Sequence, residues 1–346
     1  MFIRRSASLL MPLFALVLSA CGAAAPTVAP VPTSAPAATA SAPTVVPTAA
    51  PTAAPTAAPT AAATPAAAGI TITDVAGRQV TIAAPPKTIV SLAPSTTEIA
   101  FALELGPQVV AVDDFSDFPA EAKNLPKVGG SNSTYNIEQI VALKPDLVLA
   151  AGITTPEAIK KLEDLKLTVV VLGTDQTTFE SIFSDIALAG TITGRADQAT
   201  RLVDTLKQRL EATKAKVAAA KTQPLVYWEL DATDPTKPFS VGPGNFVSDL
   251  ITLAGGKNIF ADAGSPFPQV SSEQVVAAKP EVIILSDAAY GITVDSVMQR
   301  AGWQGIPAVK QQRVEPIDDN LVSRPGPRIV DGLEAVVKII HPELYK

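Results

Sequence analysis

The chain has 346 residues with one Cys, one His and 17 % charged residues, and its net charge is −6. One Cys excludes an internal disulfide and a Cys-rich zinc site, and one His, His341, leaves a Ser-His-Asp triad or a multi-His metal cluster almost nothing to be built from. The acidic balance is the reverse of the basic face that a nucleic-acid binder carries, so no nucleic-acid partner is expected.

Residues 1–20 read as a secretory signal. Arg4 and Arg5 precede an apolar run from Leu9 to Leu18, too short to span a bilayer as a helix, and small residues follow. The segment ends Leu18-Ser19-Ala20-Cys21, which resembles a bacterial lipobox and implies that Cys21 becomes the lipidated first residue. The bland alternative, an ordinary signal with a chance cysteine, leaves an unpaired exported Cys unexplained. Loss of the leader removes both arginines and leaves 25 Lys and Arg against 33 Asp and Glu. Residues 21–68 read as a tether: positions 22–68 hold 21 Ala, 10 Pro and 9 Thr with no charge and no aromatic. Regularly spaced Pro blocks a helix and the side chains are too small for a core. A polyproline-II-like spacer reaching between roughly 40 Å as a coil and roughly 145 Å extended is expected.

The 278 residues from 69 to 346 suffice for one large core or two modest lobes. A hairpin from Ile70 to Ile82, turning at Ala76-Gly77, comes first. Thr88 to Leu92 is a buried-strand pattern, and Ser95-Thr96-Thr97-Glu98 reads as a capping box ahead of Ile99. Strands follow at Val109 to Val112, Leu147 to Ala150 and Thr168 to Leu172, with a helix from Pro156 to Lys166. The segment from Glu138 to Leu149 (EQIVALKPDLVL) recurs 135 residues later as Glu273 to Ile284 (EQVVAAKPEVII). Each copy is a short helix, a Pro break and an apolar strand. Midway lies the longest helical stretch, Arg195 to Lys221, striped by Ala199, Leu202, Val203, Leu206, Leu210 and Val217. The expected fold is α/β, two lobes with mainly parallel sheets (69–194 and 222–346) joined by one long rigid α-helix (195–221), with a ligand cleft between the lobes.

Three blocks in the first half carry a family resemblance: Ser91-Leu92-Ala93-Pro94-Ser95-Thr96-Thr97-Glu98, Asp114-Phe115-Ser116-Asp117-Phe118-Pro119, and the IVALKPDLV block. Three more lie in the second half: Leu253 to Phe260, Pro266 to Gln274, and Ser323-Arg324-Pro325-Gly326-Pro327-Arg328. Together they resemble substrate-binding proteins of ABC importers, the branch that carries vitamin B12, ferric siderophores and haem. The resemblance covers residues 70–340. It implies a lipid-anchored carrier that is not an enzyme, has no resident cofactor, and hands its ligand to a permease dimer driven by a cytoplasmic ATPase. A monomer is expected.

Glu138 and Glu273 each follow a plausible N-cap, Asn136 and Ser271, by two residues. Taken singly, each is a carboxylate that the helix dipole favours by about 0.3–1 kcal/mol. As a symmetric pair, one per lobe, they match the family's two docking glutamates, which pair with permease arginines. Loops at strand C-termini supply the candidate ligand contacts: Pro94, Ser95, Asp114, Phe115, Ser133 to Tyr135, Phe239 to Asn245, Phe267, Tyr290, and Asn320 to Arg324. Phe115 and Phe267 fall at or near places where B12-binding relatives put aromatics, and core packing is the competing role for each. Arg324 either holds a ligand edge or pairs with Asp318 or Asp319; Arg328 reads as structural. Before Asn136, where B12-binding relatives can carry Trp, this chain has Ser133-Thr134-Tyr135. For haem, Tyr135 and Tyr290 are the axial candidates. No bare metal site is expected. Cobalamin or a related corrinoid is the first reading, a ferric siderophore the second and haem the third. In other classes stand an envelope-anchored hydrolase using Asp113, Asp114 and Asp117, whose bland reading is a solvated loop, and a scaffold lipoprotein.

Overall fold

A computed structural model describes residues 69–130, 134–174 and 177–346. The leader, Cys21, the tether and Ser133 lie outside the described residues. The hairpin pairs β1 (Ile70–Thr73) with β2 (Gln79–Ile82), antiparallel, with Ile70 opposite Ile82.

The first lobe is a four-stranded parallel sheet ordered β4 (Val109–Val112), β3 (Ile89–Ser91), β5 (Leu147–Ala151), β6 (Val169–Leu172). Every residue of β3, β5 and β6 is buried, as unbroken apolar strands covered on both faces must be. Helices α1 (Pro94–Ala102), α2 (Ile137–Ala142), α3 (Pro156–Asp164) and α4 (Phe179–Thr193) cover it. Alternate strand residues part company: Ile89, Leu147 and Leu149 face the core containing α1 and α4, while Val90, Val148 and Ala150 face the core containing Ile140 of α2 and Leu162 of α3.

The second lobe contains β7 (Leu225–Asp231), β8 (Phe239–Ser240), α6 (Phe246–Leu253), β9 (Lys257–Asn258), α7 (Ser272–Ala278), β10 (Val282–Leu285), α8 (Val294–Met298), α9 (Pro307–Lys310), β11 (Val314–Pro316), α10 (Asp319–Val322) and α11 (Ile329–Ile340). Its sheet runs β11-β10-β7-β8 with β9 also on β7, and only the β7–β8 pairing is antiparallel. The two copies of the internal repeat are α2 leading to β5 and α7 leading to β10.

The linking helix is α5 (Ala196–Val217), shorter at both ends than the run from Arg195 to Lys221. Arg195 is its N-cap and Ala218 its C-cap. Gly194, at φ 72°, ends α4 and starts the turn between the two. A Cβ on Gly190 would stand 2.3 Å from Cβ of Ala199, so this close α4–α5 approach requires glycine. Arg209 of α5 holds Asp331 at 2.6 Å and Glu334 at 2.8 Å on α11. One apolar core runs from Ile99 and Leu172 in the first lobe through Leu206 and Leu210 of α5 to Trp228 and Leu333 in the second. The two lobes therefore share packing as well as a tether, which limits hinging.

Two local expectations are corrected. Ser95 to Glu98 is no capping box: α1 starts at Pro94, with Ala93 as N-cap and no side-chain cap. Pro is preset for the first helical position, and this draws the start forward. The hydroxyls that follow serve a buried network instead: Thr96 and Thr97 bond Ser91 at 2.7 and 2.8 Å, and Thr97 bonds Ser116 at 2.7 Å. The helix α3 stops at Asp164 rather than Lys166, because Lys166 adopts a left-handed φ of 66°.

Candidate functional site

The C-terminal ends of β5, β6 and β7 open onto a cavity of about 440 Å³ between the lobes. The first lobe contributes Pro94, Ser95 and Ile99 of α1, the turns Ala151-Gly152-Ile153 and Leu172-Gly173-Thr174, Thr177, and Asp185 of α4. The second contributes Leu230, Asn245-Phe246-Val247, Pro266, Phe267 and Ser323-Arg324-Pro325. A larger cavity of about 710 Å³, walled by Phe101, Phe118, Pro119 and Leu125 among others, has no strand end on it. Ligands of open α/β sheets bind at strand C-termini, so the smaller cavity is the candidate site.

Arg324 and Arg328 reach across from the second lobe to the first. Arg324 donates from Nη1 to Asp117 Oδ1 at 2.6 Å and from Nη2 to the Phe115 carbonyl at 3.2 Å, and stands 3.5 Å from Glu98 Oε1. Of the two readings of Arg324, a ligand edge or a pairing with Asp318 or Asp319, the pairing is corrected: its acidic partners lie in the other lobe. Arg328 grips Glu98 through Nε to Oε2 at 2.9 Å and Nη2 to Oε1 at 2.5 Å, and its guanidinium lies 3.9 Å from the centre of the Phe118 ring. Partial burial opposes ionisation of Asp117, but the Arg324 hydrogen bond and charge outweigh it and hold the carboxyl below its ordinary range.

The loop after β4 is not a solvated acidic cluster. Asp113 is buried and accepts from the Phe115 amide at 2.9 Å and from the Ser116 hydroxyl. Burial pushes its carboxyl up in spite of those bonds. With Asp117 bound to Arg324, two of the three carboxylates named for a hydrolase are committed to shaping the loop that presents Phe115. Asp114 is exposed beside it.

Of the residues singled out from sequence, Pro94, Ser95, Asn245, Phe267 and Arg324 line the cavity, and Asp114, Phe115, Tyr135, Phe239, Tyr290 and Asn320 do not. Asn245 caps α6 by accepting from Ser248 N–H at 3.0 Å, and donates to the carbonyls of Gly242 and Pro266 at 3.0 and 2.7 Å. The Gly242 loop thus turns the chain and fixes the Pro266-Phe267 wall. A Cβ on Gly242 would stand 2.1 Å from the Ser265 carbonyl oxygen. Phe115 is 57 % exposed, Phe267 52 % and Phe239 40 %. Rings this exposed are not core packing. Tyr135 donates its hydroxyl to the Leu92 carbonyl at 2.9 Å. Tyr290 is 77 % exposed, and the neighbouring Asp319 carboxylate raises its phenol. The Asn320 carbonyl accepts from Arg328 at 3.4 Å. Among the described residues no group of three or more His, Cys, Asp or Glu is placed to hold a metal. His341 is buried at the end of α11 against Glu343, away from the cavity walls.

Sequence reasoning missed the walls at Gly152, Ile153, Thr174, Thr177, Leu230 and Asp185. The first three follow directly on apolar strand runs, so position at a strand end was the available signal. Asp185 had a different one: it is an acid on the helix face shared by Ile182, Ile186 and Ala189, where apolar residues belong.

Glu138 and Glu273 are exposed, each in the first turn of its helix, and the caps are as the spacing suggests: Asn136 accepts from Gln139 N–H and Ser271 from Gln274 N–H. The Glu273 carboxyl is held below its usual range by its own backbone amide and the Ser271 hydroxyl.

Comparison with known proteins returns two-lobed periplasmic binding proteins of the same α/β class. The family described as periplasmic binding protein matches residues 89–321. An uncharacterized ABC transporter substrate-binding lipoprotein of Bacillus subtilis (strain 168), YvrC, is 36 % identical over 282 residues, 80 % of this chain and 87 % of that protein. A vitamin B12-binding protein of Vibrio cholerae serotype O1 is 34 % identical over 254 residues, 73 % of this chain and 88 % of that protein. The periplasmic heme-binding protein RhuT from Roseiflexus sp. RS-1, in apo form, superposes with a TM-score of 0.68 at 27 % identity, covering 75 % of this chain and 99 % of that one. The chain belongs to the periplasmic binding protein family. It is a substrate-binding protein of an ABC transporter, a class that binds small ligands and works with a permease and an ATPase. Among the described residues no helix is long and apolar enough to cross a membrane.

Proposed function

We propose that the chain captures cobalamin or a related corrinoid and delivers it to its permease. The observation that carries this reading is the charge state of the cavity: its walls are mainly apolar, and the one cation among the described lining residues, Arg324, is already matched by Asp117 and Glu98. An anionic ferric siderophore would find no uncommitted positive charge there. Haem would find Tyr135 engaged with the Leu92 carbonyl and Tyr290 beside Asp319. A corrinoid is a broad, partly apolar disc with amide edges, suited to aromatic faces and a few polar groups. The cavity is too small to enclose the whole ligand, and the disc would extend over the exposed Phe115 and Phe267. Relatives named for B12 binding support the same choice.

Glu138 and Glu273 would dock the permease, one per lobe, setting orientation and encounter more than raw affinity. Lipid attached at Cys21, with the tether beyond it, would hold the carrier at the outer face of the cell membrane as a monomer. The test is calorimetric titration of the full chain with cyanocobalamin, a ferric siderophore and haemin. Tight one-to-one binding of cyanocobalamin alone is expected; binding of an iron complex in its place would overturn the corrinoid reading and keep the family.

A further inference from the structure

The cavity holds a charge that no partner among the described residues accounts for. Asp185 is 3 % exposed and lines the cavity from α4. Its Oδ2 faces Gly173, standing 4.0 Å from where a Cβ there would be, and the Gly173 backbone amide favours the ionised carboxyl against the burial that raises it. Its Oδ1 is buried and has no hydrogen-bond partner among the described residues. None of the ion pairs among the described residues includes Asp185, and the other charged wall residue, Arg324, is bound to Asp117 and Glu98. A buried, unsatisfied carboxyl oxygen is costly, and folds tolerate few of them. Asp287 Oδ1 is also unpartnered, but Asp287 is no part of the cavity wall. What sets Asp185 apart is that it lines the cavity.

We propose that Asp185 is a specificity-determining ligand contact whose carboxylate accepts a hydrogen bond from a primary amide on the edge of the bound molecule, selecting amide-edged corrinoids over their carboxylate counterparts. This rests on the corrinoid reading and refines it. An amide N–H donates to the unpaired carboxylate without adding charge. A carboxylate in the same place sets two like charges together in a low-dielectric cavity. The same repulsion disfavours ligands with anionic edges, among them the propionates of haem. Burial raises the Asp185 carboxyl to about 6, so it is ionised at pH 8.

The test uses two corrinoids of one shape, dicyanocobinamide with amide side chains and dicyanocobyrinic acid with carboxylates, titrated into the full chain at pH 8 and fixed ionic strength. Wild-type protein should prefer the amide form. In Asp185→Asn the carbonyl still serves Gly173, the charge is gone, and the preference should fall about tenfold to hundredfold. Asp185→Leu, which removes the acceptor, should weaken dicyanocobinamide by about tenfold or more. An unchanged preference in the Asn variant, or wild-type affinity in the Leu variant, overturns the assignment and leaves the corrinoid reading standing. If wild-type protein binds neither corrinoid, the corrinoid reading falls and takes this assignment with it.

Discussion

Arg328→Met tests whether the ion cluster across the lobes holds them in register. Glu98 is 2 % exposed at its side chain and takes two hydrogen bonds from Arg328, at 2.5 and 2.9 Å. Without Arg328 it keeps only Arg324, at 3.5 Å and already committed to Asp117 at 2.6 Å. Stripping one partner from a buried pair costs about 3–5 kcal/mol. The residual Arg324 contact reduces that, while loss of the Phe118 stacking adds about 0.5–1 kcal/mol. A net loss of about 3 kcal/mol is expected, or about 5 °C in Tm for a folded part of this size. Adding Glu98→Gln removes the stranded charge and should return most of the loss. Urea unfolding followed by far-ultraviolet circular dichroism and by tryptophan fluorescence measures it, the second probe reporting Trp228 and Trp303 of the second lobe. Because one apolar core spans both lobes, the two probes should coincide. A loss under about 1 kcal/mol, or two separate transitions, would refute the coupling of the lobes through this cluster.

Three further outcomes are expected. Phe115→Ala and Phe267→Ala each change stability by less than about 0.5 kcal/mol, since both rings are exposed, but weaken cyanocobalamin by roughly five- to thirtyfold in titration. Reversing both Glu138 and Glu273 to Lys abolishes uptake in cells and leaves cyanocobalamin affinity unchanged; normal uptake would remove them from the docking surface. Asp185, through burial, and Asp287, through burial and then the charge of Glu229, both have carboxyls raised to about 6 from 3.8. The folded state therefore binds more protons than the unfolded one between these values, and stability falls as pH rises from about 4 to about 6. Asp185→Asn should flatten part of that slope and raise stability at pH 7.5 by up to about 3 kcal/mol, read from urea midpoints; an unchanged slope would contradict the burial of the charge.

The elements that could be read from sequence are those whose signal is local. Apolar runs at Ile89, Leu147 and Val169 are strands because a parallel sheet buries both faces, and the repeat of helix, Pro and strand marks the two lobes. The start of α1 is ambiguous in the sequence because two local rules compete there: a capping box centred on Ser95 and a Pro preset for the first turn at Pro94. The Pro prevails, and Glu98 is released to bridge the lobes. In the site, position at strand ends points to Pro94, Ser95, Asn245 and Phe267. The partners of Arg324 are not local. Asp117 lies 207 residues away and Glu98 226 residues away, and a nearby acid such as Asp318 is the natural wrong choice without the fold. Asp185 shows the same limit in another form. An acid on an apolar helix face is visible in sequence, but whether it meets a cation, solvent or an empty cavity depends on how α4 packs.

The most direct measurement is mass spectrometry of the small molecule that the protein carries when purified, undenatured, from its own cell. A corrinoid mass, at one per chain, is expected. An iron-siderophore complex or haem at the same stoichiometry would contradict the proposed cargo and require that the mainly apolar cavity between the lobes be given a different ligand.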